Sequence, residues 1–442
     1  METIEKKQKG GNVIAIATMF ALFFMIAFVT NFAGSMGVIV KNQFGASNAA
    51  SQLGSCANFF AYLFMGIPGG LILKRKGYKF TSILACTVGF AGVGVQLLSG
   101  YCGLVELPGG VSVLGFGNVG SFGLYVTGAF IAGFSMCLLN LVVNPMLNTL
   151  GGEGKKGNQL VQFGSSLNSI GGTLAPILLG YLIGGEVAKA KVADAAPALL
   201  IAMAIFALAI VIVALSTIPE PHMETAAEKA ARLSGGTSVL RDIVETLKFR
   251  HFTFGALAIF FYIVIECGIP NMANLYMTAE GTPGYVGAVV AGSVVAVYWF
   301  LMMCGRILGG VIGGKVSSKV MVTCCAVGGI ALMLAAMYCP VKMVSVFGKT
   351  VPLAMCFAVL CGACTSVMWG AIFNLAAEGL GKYVPMGSGI FMCMVFGGVL
   401  LPVQGLIADK IGILNSYWLT IALFTYVLVY AHVLSKPTKR AD

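Results

Sequence analysis

Twelve apolar runs, each long enough to need a bilayer, fix what this chain can become. A crossing takes about 20 predominantly apolar residues. Runs of that kind lie near 13–40, 48–73, 80–100, 121–148, 158–183, 197–218, 252–276, 286–311, 320–339, 351–376, 386–407 and 416–435. Hydrophobic residues make up 58% of the sequence and charged ones 10%, against roughly 25% charged in ordinary soluble domains. A soluble protein that apolar would lack the polar surface to face water. The expectation is an all-α membrane protein of twelve transmembrane helices. Glycine supplies 59 of the 442 residues, which suits close helix–helix approach in lipid.

The +11 formal charge reads as topology. With both termini in the cytoplasm, the inner side holds 21 of the 27 Lys and Arg, including Lys155, Lys229, Arg306 and Lys382. The outer side holds six: Lys41, Lys189, Lys191, Lys342, Lys349 and Lys410. That asymmetry follows the positive-inside rule, and it leaves no basic domain for a nucleic acid. Met1–Gly11 is basic and precedes an apolar run too long for a signal-peptide core, so the run reads as the first span. The cysteines are mostly single and within spans, where thiols act as small hydrophobes. Cys361 and Cys364 form a C-x-x-C pattern on an apolar helix without accompanying ligands, so neither metal nor redox work is expected there.

The spans divide six and six about a polar segment. The expected units are an amino-terminal bundle, residues 1–218, a cytoplasmic linker, 219–250, carrying one or two surface helices, and a carboxyl-terminal bundle, 251–442. The halves echo one another: GGTLAP at Gly171–Pro176 returns as GGVLLP at Gly397–Pro402, and Asn148 and Lys156 fall at the same offset from Asn374 and Lys382. Duplicated six-helix units are what transporters use to alternate access to a site at mid-membrane.

One acidic residue, Glu266, stands alone among the charges of the stretch Phe254–Leu275. A charge at bilayer depth costs roughly 2.5–3.5 kcal/mol on insertion scales, so its presence implies a function. Burial favours the neutral form of a carboxyl, and such a group can bind and release protons. Alternatively, Glu266 accepts a sugar hydroxyl or holds sodium. Pro270, four residues on, frees a carbonyl near Glu266, and Asn271 and Asn274 sit beside it. On the fourth span Asn140, Asn144 and Asn148 are spaced by four residues and so lie one above another. Amides donate and accept together, as sugar hydroxyls require; the structural alternative is helix-to-helix adhesion, which suits Asn144 best. The fifth span contributes Gln162, Ser165, Asn168 and Ser169, with Gln162 equally suited to the cytoplasmic entrance. Tyr62, Tyr298, Trp299 and Trp369 are candidate aromatic platforms for sugar CH faces. Asn374 and Gln404 are weaker candidates. No histidine falls deep in a span.

The stretches FIAGFSMCLLNLVVNPMLNTLG (Phe130–Gly151), NQLVQFGSSLNSIGG (Asn158–Gly172), FYIVIECGIPNMANLYM (Phe261–Met277) and GSGIFMCMVFGGVLLPVQGLIAD (Gly387–Asp409) resemble the fucose–proton symporter family of the major facilitator superfamily. So do basic turns after spans two and eight. The resemblance implies two pseudo-symmetric six-helix bundles and bacterial sugar import. Fucose-type members carry an acidic residue where this chain has Asn140, and another in the first helix, whose FVTNFAGSMG stretch here holds Asn31 and no acid. Glucose- and galactose-type members resemble this chain in carrying Glu at the position of Glu266. The resemblance also puts Asn168 at a cavity asparagine.

The expected function is therefore secondary active import of a monosaccharide (hexose, deoxyhexose or amino sugar) across a bacterial inner membrane. Protons are the first choice of coupling ion and sodium the second. Glu266 would couple, and Asn31, Asn140, Asn144, Gln162, Asn168, Asn271, Asn274 and Trp369 would bind substrate. The partners are the sugar, the coupling ion and membrane lipid. No cofactor is expected. The alternatives are a sodium-coupled or facilitative carrier of another small polar solute (an acidic sugar, amino acid or nucleoside), or a membrane sugar sensor. The lack of a buried Arg or Lys argues against strongly anionic substrates, with Arg306, near the inner end of its span, the one reservation. Tails of about eleven and seven residues leave no signalling domain, and no nucleophile–base pair at bilayer depth suggests an enzyme.

Overall fold

The structure is a computed structural model that describes residues 2–101, 119–150, 155–183, 191–220, 239–312, 316–346, 348–380 and 383–437. Cys102, Lys189, Lys229 and Lys382 lie outside the described residues, as do the side chains of Asn148, Lys155, Lys156 and Gln162. Ten described helices are long and apolar enough to cross a membrane. One of them, Leu53–Ser99, is 47 residues long and is broken at Gly77, where φ is +84°. Only glycine visits that region without strain, and the break makes two spans, α2 (53–76) and α3 (78–99). Lys155–Ile183 adds a 29-residue helix, α5, whose serines and amides lower its hydropathy. The total is the expected twelve. The others are α1 (Val13–Gln43), α10 (Leu353–Ala377), α11 (Met386–Ile411) and α12 (Tyr417–Leu434), with α4 (Val119–Leu150), α6 (Ala196–Leu215), α7 (Arg250–Thr278), α8 (Ala288–Ile312) and α9 (Ser318–Tyr338).

Small residues set the packing. A Cβ on Gly92 of α3 would stand 2.5 Å from the Ala132 nitrogen of α4, and one on Gly133 of α4 would collide with the Asn58 carbonyl of α2. In the second six, Gly397 of α11 lies against the Phe260 carbonyl of α7, and Gly362 of α10 against the Tyr298 carbonyl of α8. Backbones this close gain dispersion contacts that lipid cannot offer. The result is two pseudo-symmetric six-helix bundles. They meet where α5 lies along α8, where α2 meets α11 and where α1 meets α7. Cβ atoms on Gly180 and Gly34 would come within 2.7 Å of the Ala288 carbonyl and of Asn271 Oδ1. The central α4 and α7 are the most enclosed, 67% buried along their apolar stretch, and α6 and α9 the least, at 28%. Exposed Leu208 and Leu215 on α6 present the apolar face that hydrocarbon would cover.

Several helices are discontinuous. The α-helical part of α10 stops at Thr365 and resumes at Met368, and α11 passes through a 3-10 stretch, Val395–Leu400, just before Pro402. Irregular backbone at membrane depth survives only where protein or water satisfies the freed groups. The chain between α9 and α10, which hydropathy marks only as a loop, forms an antiparallel hairpin of Met343–Val346 and Lys349–Pro352. Of the central linker, the described residues include one surface helix, Val239–Leu247.

Candidate functional site

Pro270 lacks an N–H, so the carbonyl of Glu266 loses its helical partner. The Tyr298 hydroxyl of α8 takes its place, donating to that carbonyl at 3.0 Å. It also lies 3.0 Å from the Thr365 hydroxyl of α10. The Thr365 carbonyl, next to the break in α10, accepts the Tyr262 hydroxyl at 3.1 Å. The freed carbonyl expected from the sequence is therefore present and satisfied. Tyr298, one of the candidate sugar platforms, is fully buried and serves here as a hydrogen-bond donor.

Two turns further along α8, Arg306 Nη2 donates to Glu266 Oε1 at 3.1 Å. Arg306 Nη1 donates to the Ser165 carbonyl at 3.0 Å and to Ser169 Oγ at 3.1 Å, both on α5. The side chains of Arg306 and Glu266 are 9% and 13% exposed. This corrects the reading of Arg306 as an inner-end cation and of the spans as lacking a buried one. The guanidinium faces inward from α8 and joins the second bundle to the first. A legible signal existed: an Arg inside an apolar run carries the same implication as Glu266. It also leaves the count of cytoplasmic charges, whose asymmetry survives without it. The pair is neutral as a unit, which offsets the cost of holding either charge away from water.

The amides form a second layer. Asn140 Nδ2 donates to the Tyr62 hydroxyl of α2 and to the Met136 carbonyl, both at 3.0 Å. Tyr62 in turn faces Cys267, the neighbour of Glu266. Asn144 Nδ2 donates to the Asn140 carbonyl at 3.0 Å, within its own helix. Asn31 Nδ2 donates to the Ala27 carbonyl at 2.9 Å and meets Trp299 across Gly172. A Cβ there would lie 3.0 Å from Asn31 Nδ2 and 3.1 Å from the Trp299 ring. Asn168 Oδ1 is buried without a hydrogen-bond partner among the described residues. Trp369 is half-buried, its ring 6.2 Å from that of Tyr262.

Asn271 and Asn274 stand apart, toward the end of the bundle remote from the termini. Asn271 Nδ2 donates to Gln52 Oε1 at 2.9 Å, a bond between the bundles. Asn274, with Ser35, Val38, Pro176 and Thr278, lines a narrow gap among α1, α5, α7 and α8. A pocket of about 180 Å³ between Lys41 and Glu280 lies beyond it. Of the weaker candidates, Asn374 is exposed, and Gln404 is fully buried, donating to Thr420 Oγ1 at 3.2 Å. Cys361 is buried, with its thiol toward the Gly329 carbonyl.

Two six-helix bundles that meet along a polar seam, with an ion pair inside it, have the architecture of a transporter that alternates access. Residues 18–402 match the Major Facilitator Superfamily, and the chain belongs to it. It is 26% identical over 441 residues to a glucose/galactose transporter of Brucella abortus biovar 1 (strain 9-941), covering 98% of this chain and 97% of that one. It is 22% identical over 454 residues to the L-fucose-proton symporter of Escherichia coli (strain K12), covering 97% and 95%. Among solved structures, the outward conformation of the transporter FucP has a TM-score of 0.63 at 18% identity, covering 97% of this chain and all of that one. The partially occluded inward-open xylose transporter XylE of E. coli has a TM-score of 0.70 at 12% identity, covering 98% and 100%. The resemblance to the fucose–proton symporter family thus extends over nearly the whole length.

Proposed function

We propose that the protein imports a monosaccharide across a bacterial inner membrane by proton symport, with Glu266 taking the coupling proton. Similarity to a glucose/galactose transporter and to a fucose–proton symporter supports a hexose or deoxyhexose as substrate. The moving units are the bundles 1–218 and 251–442, joined by the linker 219–250. Lysine and arginine asymmetry supports termini in the cytoplasm. The sugar is held by Asn31, Asn140, Asn168 and Trp369 near the centre and by Asn271 and Asn274 toward the outer end, with Gln162 toward the inner entrance. Asn144, bonded along its own helix to the Asn140 carbonyl, is a substrate ligand only if that bond is exchanged.

The observation that carries this reading is the ion pair of Glu266 and Arg306, tied across the interface to α5. A sodium ion on Glu266 would need its own shell of oxygen ligands beside a guanidinium that already occupies the carboxylate. A proton cancels the carboxylate charge and adds no ion of its own size to that crowded place. Counterflow in proteoliposomes across hexoses, deoxyhexoses and amino sugars tests the substrate class. Accumulation driven by a pH gradient without sodium tests the ion. Accumulation that requires sodium would overturn proton symport.

A further inference from the structure

We propose that Arg306 is itself a sugar ligand, made available when the coupling proton neutralises Glu266. A guanidinium has five N–H donors. The Ser165 carbonyl, Ser169 Oγ and Glu266 Oε1 take three of them. Nη1 is held by the backbone and hydroxyl of α5, and those bonds do not depend on any titration. Nη2 points at the carboxylate. Charge-assisted hydrogen bonds are roughly twice as strong as neutral ones, so an ionised Glu266 outcompetes a sugar hydroxyl for that donor. A neutral carboxyl does not. Protonation therefore turns an internal ion pair into an open, charged donor in the seam between the bundles, where a hydroxyl oxygen can accept from it.

Of the other groups facing Glu266, Tyr262 is a second hydrogen-bond partner of its side chain, but one without charge. Tyr262 and Cys267 lie on its own helix, and Tyr298 and Arg306 on α8. The two tyrosines and the cysteine are ordinarily uncharged near neutral pH, so Arg306 is the charge that Glu266 answers to. Sugar and carboxylate competing for one donor makes proton and sugar binding mutually reinforcing, since linkage is reciprocal. The empty site is then neutral and the loaded site carries the guanidinium charge, so inward movement of the loaded carrier is the step that a membrane potential assists.

This proposal rests on Glu266 being the proton site, and the test separates the two. Whichever of D-glucose, D-galactose and L-fucose gives the strongest counterflow is titrated by calorimetry into the purified protein, in buffers of different ionisation enthalpy at neutral pH. Wild type should take up protons as sugar binds, and Glu266→Gln should take up none. Proton uptake by Glu266→Gln equal to wild type would sink the underlying assignment. Arg306→Gln should bind about tenfold to a hundredfold more weakly, as expected for losing a hydrogen bond to a charged group, and should take up no protons. Arg306→Lys, which keeps the charge without the planar fork, should keep proton uptake with affinity reduced about tenfold. If Arg306→Gln fails to fold, the double variant Glu266→Gln with Arg306→Gln leaves neither charge alone, and it should bind about tenfold more weakly than Glu266→Gln. Wild-type affinity in Arg306→Gln or Arg306→Lys, or double-variant affinity equal to that of Glu266→Gln, overturns the proposal.

Discussion

The carboxylate of Asp409, at the end of α11, accepts the backbone N–H of Asn48 at 2.8 Å and that of Ala49 at 3.1 Å, at the entry to α2. Asp409 thus caps, from the second bundle, a helical start that belongs to the first. Lys41 Nζ donates to Asn48 Oδ1 at 2.7 Å and adds a favourable charge. Gly405, one turn earlier on α11, has Ala49 where a Cβ would stand, at 2.5 Å from its Cα. These contacts hold the bundles together at the end remote from the termini.

Opening that end must break them. Asp409→Asn keeps the shape and removes the charge from an acceptor of two N–H groups, so the closed arrangement loses about 1.4 kcal/mol or more, a shift of about tenfold in the balance of states. A cysteine placed at position 274, below the seal, should react about tenfold faster with an impermeant thiol reagent in Asp409→Asn cells than in cells with Asp409 intact. Unchanged labelling would mean that Asp409 does not hold this end closed.

Glu266→Gln mimics the protonated carboxyl permanently. Sugar exchange should survive while uphill uptake driven by a pH gradient falls to equilibrium. A carboxylate that only accepts a sugar hydroxyl behaves otherwise: exchange and accumulation would decline together. Full gradient-driven accumulation by the variant would remove Glu266 from both roles.

Cysteines at positions 140 and 168 should be protected from alkylation by transported sugars and not by sugars that fail in counterflow. Asn168 carries the stronger expectation, because its buried oxygen has no partner among the described residues, and an unmet acceptor is costly unless a ligand or water completes it. Labelling indifferent to every transported sugar would remove these positions from the site.

Gly172 is a test of shape. Gly172→Val places its methyl groups between Asn31 and Trp299, which already lie 3.0 and 3.1 Å from a single Cβ. Overpacking of this kind costs about 1–3 kcal/mol. The predicted result is normal membrane insertion with substrate affinity at least tenfold weaker. An unchanged counterflow affinity would place the sugar away from the α1–α5–α8 junction.

Orientation can be read chemically. Lys79 and Lys248 should resist an impermeant amine reagent on intact cells, and Lys349 and Lys410 should react, when each is assayed after the others are substituted. The reverse pattern would invert the topology that the charge asymmetry supports.

The number of spans, their division into two sixes and the placement of Glu266 inside an apolar span were legible from the chain alone. All three depend on the free energy of moving each residue out of water, which is local and readable along the sequence. Even the carbonyl freed by Pro270 is a local consequence of chemistry. Partners were not legible, because they depend on which helix faces which and at what height. That Arg306 turns inward to Glu266 and reaches α5, that Tyr298 closes the Pro270 gap, that Asn271 binds Gln52, and that Asp409 caps α2 all depend on how helices far apart in sequence pack against one another. The polar α5 illustrates the difference. Its serines and amides weaken its signal as a membrane span, yet two of those serines, Ser165 through its carbonyl and Ser169 through its hydroxyl, receive Arg306 once the two bundles close around it.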